Sequence, residues 1–208
     1  MDINYNIKMT ICRFLNKDYK LKNFLFGIIF IILLSLSAHF MFSHLGFNPT
    51  DDGFLLAVSR RIVDGEIPHR DFISIRPSGS AYLHSPILML NTEYFLWISR
   101  YIIWLELSII SWIWASVISN HFGTKTSIFR KMGYGIIIFC FSANISPIMV
   151  WNSIDALFFL SLGILFINKS HLWKIAGYLL VGCSMLFKQN YILAIPLLMI
   201  LFYRDLKI

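Results

Sequence analysis

Nine acidic and arginine residues crowd the short stretch from Asp51 to Arg76 in an otherwise apolar chain: Asp51, Asp52, Arg60, Arg61, Asp64, Glu66, Arg70, Asp71 and Arg76. Asp51 and Asp52 are adjacent and follow Pro49 closely, so their carboxylates cannot both point the same way. One of them is expected to cap the helix begun by GFLLAVSRRIVDG, leaving the other free as a general base. Arg70 and Arg76 carry rigid guanidinium forks suited to phosphate oxygens. His69 and His84 stand alone and read as hydrogen-bonded structural residues rather than metal ligands. Farther on, Asp155 and Lys188 interrupt apolar runs. Ionisable groups in such places are costly and mark a site or a buried pair. Here they can neutralise each other or pair with Glu106 and Arg100.

The elements that must position these groups follow from composition. The 208 residues are 57% hydrophobic and 14% charged, whereas soluble domains carry about 45–50% apolar and about 25% charged residues. Too few charges are present to cover a soluble surface, and 19 Phe, 9 Tyr and 6 Trp need hiding. That excludes a soluble enzyme, a disordered regulator and a small secreted scaffold, and leaves an integral membrane protein. Its partner is then the lipid bilayer. The net charge of +7 fits basic residues gathered in cytoplasmic loops; no basic run interleaved with aromatics suggests nucleic acid. Cys12, Cys140 and Cys183 are far apart, and their odd number argues against a disulfide framework. No metal spacing, Walker-type loop, GxSxG elbow, HExxH pair or internal repeat is visible, and the sequence shows no required cofactor.

The whole chain, 1–208, reads as a single all-α, polytopic membrane domain. Residues 1–22 form a tail, and 23–50 form an uncharged first span long enough to cross a core of about 30 Å. Although Ser35–Ala38 loosely resembles a cleavage site, the apolar run continues past it, and an uncleaved helix is expected. Residues 51–93 form a polar loop, within which 77–99 is too broken by Pro, His and Asn for a clean span. Residues 94–208 supply the remaining spans, near 94–120, 132–150 and 151–167. The stretch 175–203 is expected to be two short helices meeting at Lys188–Asn190, making about six crossings.

Basic residues orient the chain. Lys8, Arg13, Lys17, Lys20 and Lys22 fall on one side with Lys125, Arg130, Lys131, Lys169, Lys174, Arg204 and Lys207. That side, with the N-terminus, is cytoplasmic. The 51–93 loop, Asp155 and Lys188 then lie together outside.

NPTDDGFLLAVSRRIVDGEIPHRDFISIRPSGSAYLH after a first span resembles the first extracytoplasmic loop of the GT-C superfamily. These are polytopic glycosyltransferases that use polyprenyl-phosphate sugars, among them bacterial protein O-mannosyltransferase-like and aminoarabinose-transferase-like enzymes. The resemblance spans about residues 24–205. It rests on Asp51-Asp52, on Asp64 to Asp71, on Pro77-Ser78-Gly79, on Arg100 opening the second long span, on Asp155 in WNSIDALFFL, and on Gly177, Gly182 and Lys188 in GYLLVGCSMLFKQN. Such enzymes commonly have Asp-Glu for the acidic pair and run on through more spans, so the chain resembles the N-terminal part of that architecture.

The resemblance implies inverting transfer of a sugar from a polyprenyl-phosphate donor to a glycan, lipid or protein acceptor outside a bacterial inner or plasma membrane. Asp51 or Asp52 would be the general base. Arg70, Arg76, Arg100 and Lys188 would hold the donor phosphate, Asp71 and Asp155 would line the site, and Trp97, Trp104, Trp112 and Trp114 would border a groove for the lipid tail. A divalent metal is neither required nor excluded. Two other readings are a transporter or flippase component and a non-catalytic remnant. The first would place its polar groups near mid-membrane in two related halves, whereas here most charge lies in one outer loop.

Overall fold

The computed structural model describes residues 3–121, 127–145, 149–167, 169 and 171–201, with the backbone alone for 3–20, 121, 145, 199 and 201. Lys125, Arg204 and Lys207, used above for orientation, lie outside the described residues. Regular structure among the described residues is helical: α1 (Ile3–Phe42), α2 (Phe54–Val63), α3 (Gly79–Met89), α4 (Phe95–His121), α5 (Ile128–Ile145), α6 (Asn152–Ile167), α7 (His171–Ser184) and α8 (Ala194–Leu201). Two segments, Leu21–Phe42 and Phe95–Asn120, are long and apolar enough to cross a membrane; Asn152–Ile167 and Gln189–Leu198 are shorter apolar helices.

α4 is the hub. It packs against α1, α5 and α6, and at about 1.5 Å per residue it is about 40 Å long. Leu107, Ile110, Ile103 and Trp104 on α4 meet Ala38 of α1, Leu55 of α2, Phe139 of α5, and Val150 and Ile154 at the start of α6. α1 runs antiparallel to α4, because Gly27 lies against Trp112 while the other end of α1 reaches Arg100. α1 turns Phe24, Leu25, Ile29, Leu33, Phe40 and Met41 outward; this apolar face needs an apolar surround.

α6 and α7 are drawn together by glycine. A Cβ on Gly177 would stand 2.7 Å from the Ile167 nitrogen and 2.8 Å from the Gly163 oxygen, so only a hydrogen lets the two backbones approach. Chain beyond α7 turns through Gln189–Leu193 into α8, giving two short helices where the sequence reading placed them.

The polar loop caps one end of this bundle. α2 ends in a glycine-stopped turn: Gly65 (φ +93°) donates to Ile62 O and Glu66 N–H to Arg61 O, the pairing that a left-handed residue after a helix permits. The helix start differs from the expectation. α2 has Gly53 at its start and no side-chain cap; the capping side chain is Asn48, which accepts from Thr50 N–H at the head of the wide turn Pro49–Gly53 that leads into α2. Neither Asp51 nor Asp52 caps it. α3 forms within the 77–99 region despite Pro86.

Candidate active site

The two adjacent acids have different fates. Asp52 is fully buried and pairs with Arg100, whose Nη2 donates to Asp52 Oδ2 at 2.7 Å. Arg100 Nη2 also donates to Gly46 O at 2.9 Å, and its Nη1 donates to Ser43 O at 2.8 Å and Leu45 O at 3.1 Å. The second Asp52 oxygen accepts from Val150 N–H. Both side chains are therefore committed to joining the end of α1, the start of α4 and the approach to α6. Such a pair is costly to bury unless its donors and acceptors are met; here both Asp52 oxygens and both Arg100 terminal nitrogens are engaged, and Arg100 Nε has no partner among the described residues.

Asp51 stays near the surface. Arg76 Nη1 lies 2.7 Å from Asp51 Oδ1, with side chains about a third and a fifth exposed, and the Asn48 amide donates to the other oxygen at 3.3 Å. The segment carrying Arg76 is fixed from two directions. Ser74 Oγ donates to Arg76 O at 2.8 Å, and Gly79 N–H donates to Leu186 O, beyond α7, at 2.9 Å. A Cβ at Gly79 would stand 2.5 Å from that same oxygen, so the docking requires glycine.

Lys188 comes to this same end of the bundle. Arg76, Pro77 and Ser78 share a small crevice with Asn152 at the start of α6. The next residue, Ser153, accepts a hydrogen bond from Lys188 Nζ, which also sits 5.3 Å above the Trp151 ring. Tyr191 O–H donates to Ser153 O at 3.3 Å. Among the described residues Lys188 has no carboxylate partner, so its charge remains available.

Arg70 and Asp71 form a separate group. Arg70 donates to both Asp71 oxygens at 2.9 and 2.7 Å, and Ile67 N–H donates to Asp71 Oδ2 at 2.8 Å. These bonds hold the Asp71 carboxyl down at about 2, the Arg70 contact contributing most. No hydrogen bond or ion pair among the described residues joins either side chain to Asp51, Asp52 or Arg76.

Asp155 does not meet Lys188 or Arg100. It is fully buried, its Oδ1 lies 3.6 Å from His84 Nε2, and Glu106 faces it from α4. His84, read from sequence as an isolated structural residue, is therefore part of a buried ionisable cluster. The available signal was that Glu106 and Asp155 are the acids lodged inside apolar runs. Ser153 and Asn48 carried no comparable signal, because a lone Ser or Asn has no periodic pattern. Among the described residues no three His, Cys, Asp or Glu side chains are set to hold a metal ion.

Trp104, Trp112 and Trp114 pack or anchor, whereas Trp97 lines a cavity of about 380 Å³ with Tyr94 and Arg100. Trp104 is buried and donates to Ser43 Oγ at 2.9 Å, Trp114 donates to Ser161 Oγ at 3.1 Å, Trp97 lies on His39 at 3.9 Å, and Trp112 lies against Phe30. A cavity of about 560 Å³ opens elsewhere, between α2 and the α3–α4 connection, lined by Phe47, Gly53, Leu56, Leu88, Phe95 and Leu96, with Arg60 and Glu93 also on its wall. Comparison with family models, with curated proteins and with solved structures finds no match to this chain.

Proposed function

We propose that this chain is a GT-C-like membrane glycosyltransferase that crosses a bacterial inner or plasma membrane about six times. Its N-terminus is cytoplasmic, and it moves a sugar from polyprenyl phosphate to an extracytoplasmic glycan, lipid or protein acceptor. The observation that carries this reading is the convergence of Asp51, Arg76 and Lys188 on one end of the helical bundle. An accessible carboxylate is there combined with two cations.

Asp51 takes the proton of the acceptor hydroxyl as its oxygen attacks the anomeric carbon. The bond from that carbon to the phosphate oxygen breaks, and the polyprenyl phosphate leaves with inversion. Arg76 moves from Asp51 towards the leaving phosphate, and Lys188 meets it from the other side; fixed cations at a developing anion are a large source of rate. Asp52 and Arg100 hold the frame. The apolar cavity beside Gly53 suits the first isoprene units, its volume lying within the range of ligand pockets, about 300–1,000 Å³.

The test is transfer from a radiolabelled polyprenyl-phosphate sugar in membranes. Asp51→Ala should lower transfer by about 10²–10⁴-fold, the usual worth of a general base, with protein level and thermal stability unchanged. Wild-type transfer by a folded Asp51→Ala protein would remove the base assignment. A transporter or flippase component is the second reading, favoured by the ionisable cluster of His84, Glu106 and Asp155 inside the helices, since buried Asp, Glu and His groups serve proton relays in transporters.

A further inference from the structure

Three helices each send one ionisable side chain to a single buried point. His84 comes from α3, Glu106 from α4 and Asp155 from α6, with exposures of 0%, 4% and 0%. The same helices bury apolar neighbours in sequence, Leu107 beside Glu106 and Ile154 and Ala156 on either side of Asp155. Neither His84 nitrogen, neither Asp155 oxygen and not Glu106 Oε2 completes a hydrogen bond among the described residues. Capacity to bind is therefore concentrated in a place that water reaches poorly.

Neighbouring charged groups do not neutralise it. On α4, Arg100 is consumed by Asp52. On α2, Arg60 pairs with Asp64 and Arg61 with Glu66. His39 of α1 is bonded to Ser43, and Lys131 of α5 sits over Trp112. α6 has no second ionisable residue, and Lys188, packed at its start, donates to Ser153 Oγ and not to Asp155. Tyr82 of α3 is half exposed, and Tyr178 of α7 packs on the distant Ile167–Val181–Leu198 cluster.

With all three groups deprotonated the cluster carries two negative charges; two protons bring it to zero. An apolar interior penalises net charge heavily, and the donor arrangement does not meet metal geometry. We propose that His84, Glu106 and Asp155 form a buried proton-binding site, in which the facing Glu106 and Asp155 carboxyls, with His84 beside them, share an exchangeable proton. Ser80 lies one turn from His84 on the same face of α3, and its buried hydroxyl is likewise unpartnered. It offers a step towards the crevice lined by Ser78 and Arg76. The inference stands whether the chain is a glycosyltransferase or a transporter.

Infrared difference spectroscopy of the full-length purified protein at neutral pH tests it. A protonated carboxylic carbonyl band should be present, shift down in deuterium oxide, and shift again when glutamate or aspartate is labelled with heavy carbon. The label needs no substitution, so the result does not depend on a variant folding. The Glu106→Gln/Asp155→Asn double substitution should abolish the band. Absence of the band in the unsubstituted protein, or its persistence in the folded double variant, overturns the proposal.

Discussion

Asp52 and Arg100 carry opposite charges at positions almost closed to solvent, and their pairing is satisfied down to the last Asp52 oxygen. Removing one partner leaves a buried charge alone, which costs roughly 3–5 kcal/mol. Arg100→Ala should therefore lower the thermal midpoint in detergent sharply. Adding Asp52→Asn should recover part of the loss, and strictly additive midpoints would show that the two do not act as a pair. Asp71 makes a different prediction. Its carboxyl is held at about 2 by Arg70 and the Ile67 N–H, below the ordinary carboxylate range of about 4. A depressed value means that the ionised form favours the folded turn. The stabilisation is full above the ordinary value and is lost as pH falls towards about 2. Carboxyl NMR titration should show this low midpoint, and Arg70→Ala should raise it part of the way, the Ile67 N–H bond holding the rest.

Helix pairs are governed by shape more than by charge. Gly163 and Gly177 let α6 and α7 touch backbone to backbone, with no room for a Cβ at either position. Overpacking such a contact costs typically about 1–3 kcal/mol. Gly177→Leu should lower the thermal midpoint and increase proteolysis around α7, while a substitution at Gly182, where a Cβ meets nothing within 4 Å, should change neither. The α6–α7 contact would not be the constraint if both substitutions behaved alike. The joint between Gly79 and Leu186 works in the same way, and through it the position of Arg76 depends on a chain segment more than a hundred residues away.

At the scale of the whole molecule, the proposed crossings place the 51–93 loop on one side and the α4–α5 connection on the other. In a background lacking Cys12, Cys140 and Cys183, an impermeant maleimide should label Ile73→Cys in intact cells and Ser127→Cys only after lysis. Labelling of both in intact cells would rule out that orientation. The all-helical class, the two long apolar helices (the first ending at Phe42, short of the expected 50) and the break around Lys188 were legible in the sequence, because each depends on local composition: an uncharged run must be buried, and a mid-run lysine must find an exit. Partnership among the charges was not legible. Asp52 is spent on Arg100 while Asp51 remains accessible, and Asp155 meets His84 and Glu106 instead of Lys188; none of these pairings has a sequence spacing that announces it. Each arises because α4 packs against α1, α3 and α6, and only that tertiary packing decides which carboxylate is sealed in and which stays accessible.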